Sequence, residues 1–170
     1  DELSKILMGN YAKKAFIEMK KLRVLEMIIP EFRYAYNFNQ NNPNHPDDLF
    51  NHIIKVIHLC DYDLITRFAA LFHDLGKINV KIIDAKGIFH FYGHEKESAL
   101  IAEEELRQLK ASNDFTNSVK KIVKNHMLIY ENVSDKTLKK LIIEMEEKNL
   151  KRLFNLFSAD LNSKGLRTKK

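Results

Sequence analysis

Cysteine is the scarcest chemistry-bearing residue in this chain, with Cys60 alone among 170 residues. One thiol builds neither a disulfide framework nor a thiolate metal site, so any metal bound here must be held by histidine and carboxylate. Glycine and proline are sparse as well, at 5 and 3, which excludes collagen-like and low-complexity chains. No apolar run approaches the length of a membrane span and no signal-peptide pattern opens the sequence; the expectation is a cytoplasmic protein with no membrane partner. What is present is 45% apolar and 30% charged residues. That composition suits a helical protein with one sizeable core, or one core and a small appendage. The formal charge of +5 favours a phosphate-bearing partner without proving one. The chain begins at Asp1, directly in helical sequence, as a piece of a longer protein would.

Apolar residues recur at three- and four-residue spacing over 3–7, 12–19 and 22–29, which predicts short amphipathic helices. Phe32, Tyr34, Tyr36 and Phe38 are too aromatic for a solvent-facing helix and are expected to pack on the segment C-terminal to them. Residues 37–46, rich in Asn and Pro, form the clearest loop and the expected boundary between an N-terminal helical segment, 1–40, and a main domain, 41–170. Asp48 stands at an N-cap position before a helix with apolar residues from Leu49 to Cys60 and His52 at the edge of its stripe. The next helix runs from Leu64 to Leu75, stopped by Gly76. Residues 78–92 alternate in places and fit either a small hairpin or an irregular loop. Further helices run from Gly93 to Leu109, from Asp114 or Thr116 to His126, from a Ser134 cap to Met145, and onward from Leu150. The predicted class is all-α.

Phe72-His73-Asp74-Leu75-Gly76-Lys77 organises this pattern, because it ends the very apolar run 68–72 with two metal-liganding side chains. A buried imidazole and carboxylate without partners would cost roughly 2 to 7 kcal/mol for a neutral polar group and more for a charge. A metal ion is one partner that satisfies both; a helix C-terminus with the Asp facing water is the ordinary alternative. His52, His94, His126 and Asp160 also lie near helix ends or at the borders of apolar faces, and each alone has the same kind of ordinary explanation. Together with His73 and Asp74 they come from five helices with strong core periodicity, which could converge in one bundle interior.

The words Asp48-Leu49-Phe50-Asn51-His52, Leu71-Phe72-His73-Asp74-Leu75-Gly76-Lys77, Phe91-Tyr92-Gly93-His94-Glu95 and Ala159-Asp160, in this order, resemble the HD superfamily of metal-dependent phosphohydrolases with its H...HD...D site. They are most similar to the HD domain of bacterial tRNA nucleotidyltransferases and poly(A) polymerase family proteins. Residues 1–31 resemble the helical segment that precedes that domain. The resemblance implies an HD-domain helical bundle with a short N-terminal helical segment. It implies a first divalent ion on His52, His73, Asp74 and Asp160, and a second bridged by Asp74 to His94 and His126. Mixed imidazole and carboxylate ligation suits Mn, Fe, Co, Ni or Zn, and one ion could be Mg. Two departures stand out. The nucleotide-adding head is absent from these residues, and Asn51 occupies a position where relatives often carry Glu.

The expected activity is hydrolysis of a phosphomonoester or a 2',3'-cyclic phosphodiester on a nucleotide or RNA end, with tRNA among the candidate partners. Asp74 and Lys77 are the expected catalytic residues, the Lys supplying positive charge as negative charge develops on phosphate. Gly76 would let the backbone turn sharply to bring that Lys over the site, although Lys77 is equally readable as an ordinary exposed lysine. Lys120, Lys121 and Lys124 read more simply as a solvated helix face than as a polyanion guide. The competing reading is a non-catalytic RNA-positioning module with a structural or vestigial metal site, serving a nucleotidyltransferase head elsewhere. His45 and His90 receive no role.

Overall fold

The computed structural model describes residues 2–41, 47–128 and 134–165. Its elements run α1 (Glu2–Met8), α2 (Ala12–Lys21), α3 (Leu25–Ile28), α4 (Phe32–Ala35), α5 (Leu49–Leu59), α6 (Leu64–Phe72), α7 (Lys77–Val80), β1 (Ile82–Ile83), β2 (Phe89–His90), α8 (His94–Gln108), α9 (Asn113–Asn125), α10 (Asp135–Glu144) and α11 (Glu147–Ser163). The all-α expectation holds, with one small departure: β1 and β2 pair antiparallel, Ile82 opposite His90 and Ile83 opposite Phe89. The segment 78–92 is thus a hairpin preceded by the short helix α7, and neither strand is buried.

Capping side chains start the central helices, at Asp48 and Ser134 where the sequence places them and at Ser112 instead of the expected Asp114 or Thr116. The Asp48 carboxylate accepts from Asn51 N at 2.7 Å and the Asp63 carboxylate from Thr66 N at 2.9 Å, while Ser112 and Ser134 cap α9 and α10 in the same way. Each such cap contributes about 1 kcal/mol. Asp63 also receives Arg152 on both oxygens, at 3.0 and 3.1 Å, and so fastens α11 to the start of α6. The core is aromatic and aliphatic, with Phe16, Phe32, Phe50, Phe72, Leu7 and Leu25 among its fully buried members. Each contributes roughly 1.5 to 3 kcal/mol by leaving water. Around it α11 packs on α5 and α6, α9 on α6 and α8, and α2 on α5. Buried Arg67 donates to the carbonyls of Leu7, Asp61 and Cys60, closing the α5–α6 loop onto the end of α1.

Phe32 and Tyr36 meet the edge of Phe50, and Phe38 meets Phe91, so three of the four aromatic residues before the loop pack as expected. Tyr34 does not; it is 61% exposed. Leu22 is also exposed, and α6 ends at Phe72 instead of Leu75. Gly76 has φ −64° and ψ −16°, an ordinary right-handed conformation, so the sharp turn expected of it is not its purpose. A Cβ there would lie 2.4 Å from both His94 O and Ser98 N. Glycine is needed because α8 passes against its backbone, and Gly76 N donates to Ser98 Oγ at 2.9 Å across that contact. Half of the loop 37–46, residues 42–46 with His45 among them, falls outside the described residues. Among the described residues no helix is long and apolar enough to cross a membrane.

Candidate metal centre

Five helix-borne segments bring the six candidate ligands to one place. His52 comes from α5, His73 and Asp74 from the turn that ends α6, His94 from the first position of α8, His126 from the C-cap of α9 and Asp160 from α11. All six are at most 5% exposed. Gly93, with φ +78°, makes the left-handed turn that sets His94 at the helix start, a conformation a side chain would strain.

Asp74 is the hub. Its Oδ2 lies 3.1 Å from His52 Nε2 and 3.3 Å from His73 Nε2, and its Oδ1 lies 3.1 Å from His94 Nε2 and 3.8 Å from His126 Nε2. Asp160 Oδ1 approaches His52 Nε2 at 3.1 Å. Two groups therefore share one carboxylate, His52-His73-Asp74 and Asp74-His94-His126, each with its donor atoms within 4.8 Å of one another.

The imidazoles are oriented by what lies behind them. His73 Nδ1 faces Ala70 O at 2.8 Å, His94 Nδ1 faces Phe91 O at 2.8 Å and His126 Nδ1 faces Val123 O at 2.7 Å. A carbonyl only accepts, so the proton of each neutral ring belongs on Nδ1 and the lone pair on Nε2, the tautomer that binds a cation. Behind His52 the Ser163 hydroxyl donates to Asp160 O at 2.7 Å and stands 3.2 Å from His52 Nδ1, which can then donate to it. His94 Nε2 and His126 Nε2 are buried with no hydrogen-bond partner among the described residues. Aiming such lone pairs at a carboxylate oxygen is unfavourable unless a cation lies between them, so this donor set fits a divalent metal. Buried Cys60 takes no part, and burial pushes its thiol up to about 12.

Charge in the site is balanced by lysines. Burial pushes the Asp74 carboxyl up, but His73, Lys77, His126 and His52 outweigh it and hold the group well below the carboxylate range. The same contest, with His52, His73 and Lys164 prevailing over burial, lowers Asp160. Lys77 is not an exposed lysine: it is 3% exposed, and its Nζ lies 2.7 Å from Asp74 Oδ2 and 2.8 Å from Gln40 Oε1. Burial draws its pKa down, partly offset by Asp74. Lys164 Nζ lies 2.8 Å from Asp160 Oδ2. Gln40, Ser163 and Lys164 were not picked out by sequence reading. The spacing of Ser163 and Lys164, three and four residues past Asp160 on one helix, was the available signal. Asp74, Lys77, His94, Asp160 and Lys164 line an open cleft of about 260 Å³ whose other wall is Phe89 of β2 with Phe91 and Tyr92, which follow that strand. Lys120 pairs with Glu103 on α8 and so ties two helices together, while Lys121 and Lys124 are exposed. His90 is held by Asp84 at 2.9 Å.

The family model described as "HD domain" matches residues 49–150. The chain belongs to the HD domain family. A second model, described as "Probable RNA and SrmB-binding site of polymerase A", matches residues 1–36. Relatives of this HD protein include the A-adding tRNA nucleotidyltransferase of Deinococcus radiodurans, 29% identical over 75% of this chain and 31% of that protein. The Multifunctional CCA protein of Chromobacterium violaceum is 32% identical over 66% of this chain and 28% of its own length. The CC-adding tRNA nucleotidyltransferase of Thermus thermophilus is 28% identical over 75% and 30%. The chain spans about a third of the length of these relatives.

Proposed function

We propose that this HD domain is a metal-dependent phosphohydrolase acting on a phosphomonoester or 2',3'-cyclic phosphodiester at a nucleotide or RNA end. The observation that supports it most is the sharing of Asp74 between two histidine groups, with two buried imidazole nitrogens left without hydrogen-bond partners. In this reading His52, His73, Asp74 and Asp160 hold one divalent ion, and Asp74, His94 and His126 hold a second. Bound there, such an ion lowers the pKa of a water to as little as about 7 and neutralises charge on the phosphate. The carbonyls of Ala70, Phe91 and Val123 keep the imidazole protons on Nδ1 and the lone pairs directed inward. Lys77 steadies Asp74, and with Lys164 it lines the cleft, so an entering phosphate meets two ammonium groups where negative charge develops. Gln40 comes from the proposed 1–40 segment and buttresses Lys77 in the proposed 41–170 domain; the two units would then act as one.

The second reading is an RNA-positioning module whose metal site is structural, working beside a nucleotide-adding head outside these residues. The match of residues 1–36 and the names of the relatives favour it. A tRNA partner and a cytoplasmic setting follow from either reading. Metal content of the purified chain, then hydrolysis of phosphomonoesters and 2',3'-cyclic nucleotides with added Mn, Ni, Co or Mg, separates the two. Turnover that disappears in Asp74→Ala with the helical spectrum retained supports the hydrolase. Metal bound without turnover by any of these ions, together with salt-sensitive tRNA binding, assigns the module instead.

A further inference from the structure

The hairpin side of the metal cleft carries aromatic rings that the proposed hydrolysis does not use: Phe89, His90, Phe91 and Tyr92 all line it. Two of these rings are already covered. Lys81 Nζ lies 4.1 Å from the centre of the Phe89 ring. Phe91 meets Phe38 with centroids 6.0 Å apart, and Lys77 Nζ lies 5.5 Å from its centre. Tyr92 differs, being 72% exposed although it lines the cleft. The ring it meets among the described residues is His90, stacked on it at 5.4 Å and 7°. His90 is itself fixed, because its Nε2 lies 2.9 Å from Asp84 Oδ2 while Asp84 Oδ1 accepts from Lys86 N and Ile88 N, both at 2.9 Å. A carboxylate only accepts, so in the neutral ring the proton belongs on Nε2, and the Nδ1 lone pair faces the Tyr92 hydroxyl at 3.3 Å. The Tyr92 ring is thus held from behind by the hairpin turn. One residue, Gly93, separates it from the candidate ligand His94, so the two Cα atoms lie at most about 7 Å apart.

The cleft of about 260 Å³ falls just short of the range of small-ligand sites, about 300 to 1,000 Å³. A ligand whose phosphate lies on the metal side therefore extends to the rim, where the exposed face of Tyr92 stands. An aromatic ring fixed from behind loses little freedom when a second planar group stacks on it, and every nucleobase has such a face. A phosphorylated serine, glycerol or open-chain sugar has none. Asp74 and Asp160 are each paired with a lysine, which leaves Glu95 as the remaining acid on the cleft wall. The part of the ligand beyond its phosphate gains nothing there from further negative charge, and a neutral base meets that condition. We propose that Tyr92 is the base-stacking platform of the site, with His90 as its positioning residue, so that the domain selects nucleoside monophosphates over phosphoesters that lack a base. The proposal rests on the hydrolase reading, which puts the phosphate on the metal side of the cleft, and it gives His90 and Tyr92 a task that metal ligation does not.

Hydrolysis of adenosine 2'-monophosphate and of glycerol 2-phosphate by this chain with Mn reads the preference as a ratio of kcat/KM values. The ratio is expected to favour the nucleotide at least about fivefold, the low end for one base stacked on an aromatic side chain. Tyr92→Leu is expected to remove that preference through KM for the nucleotide, with kcat little changed. Tyr92→Phe keeps it, since the ring and not the hydroxyl does the stacking, and His90→Ala lowers it by a smaller factor. A parental ratio near one, or a Tyr92→Leu chain in which both substrates suffer alike, overturns the platform. If neither substrate turns over with Mn, Ni, Co or Mg, the hydrolase reading fails and the platform is decided by binding alone. The probe is then 2-aminopurine riboside 2'-monophosphate with Mg, whose fluorescence is quenched when its base stacks. Quenching by the parent and Tyr92→Phe that is lost in Tyr92→Leu upholds the platform; equal quenching in all three, or none in the parent, overturns it.

Discussion

A metal ligand is only as good as the group behind it. Three of the four histidines use a backbone carbonyl three residues earlier, so their orientation is inherited from the helix end on which they sit. His52 is the exception, because its Nδ1 depends on one side chain, the Ser163 hydroxyl, which is itself fixed by Asp160 O. Ser163→Ala is therefore expected to lower metal affinity about tenfold or more, as removal of such supporting hydrogen bonds typically does, while helicity stays unchanged. Calorimetric titration with Mn or Ni checks it, and affinity equal to the parent chain would show that packing alone orients the ring. At this scale five of the six candidate ligands were legible because they fall in four recognisable words of sequence, while His126 lies outside those words and was singled out by its place at a helix end. Ser163, Gln40 and Lys164 were not, since a hydroxyl, an amide and an amine on polar stretches look like solvent-facing residues until the fold buries or pairs them. Lys77 was misread as equally an exposed residue for the same reason: nothing in the sequence tells a buried ammonium from a free one.

Helices were legible from periodicity and caps, and their closeness of approach was not. Gly76 illustrates the difference, since a glycine after an apolar run reads as a stop, whereas here α8 presses on it. Adding one methyl, Gly76→Ala, drives a Cβ to 2.4 Å from two backbone atoms of α8 and must push that helix outward. The expected loss is at least about 2 kcal/mol in urea unfolding, the scale of overpacking against atoms that cannot rotate away. His94 moves with the helix, so metal content is expected to fall as well. A variant with parent stability and full metal content would mean that α7 yields instead. The opposite gain is available at the far end of α8, where Lys110 holds φ +58° while Ala111 N donates to Leu106 O and Lys110 N to Arg107 O. That is the hydrogen-bond pattern of a helix end that glycine satisfies without steric cost. Lys110→Gly is expected to stabilise the chain by about 1 kcal/mol, read as a higher urea midpoint with an unchanged slope.

The N-terminal helices and the ligand-bearing helices are joined by acidic side chains as well as by core packing. Glu31, which opens α4, faces Glu105 on α8; each has a buried Oε2 with no hydrogen-bond partner among the described residues. Two ionised carboxylates cannot share such a place cheaply, so one keeps a proton. Burial first, then the Glu31 charge and its hydrogen bond, push the Glu105 carboxyl up to about 7. In the unfolded chain Glu105 titrates near the ordinary glutamate value of about 4.3. Its folded value is the higher one, so the stability it contributes is fully present below about pH 4.3 and is lost as pH rises through about 7. Partial access of water reduces the full linkage energy, and the expected loss between pH 5 and pH 8 is about 1 to 2 kcal/mol. Glu105→Gln keeps a donor beside Glu31 at every pH, so its unfolding free energy is expected to exceed that of the parent at pH 8 and to match it near pH 5. Urea titrations at the two pH values, run in EDTA so that metal affinity does not enter, check this. Parallel pH profiles for the two proteins would show that the acidic pair does not hold the N-terminal helices against α8. The metal centre would feel the same loosening at high pH, because Gln40, which buttresses Lys77, comes directly after those helices in the chain.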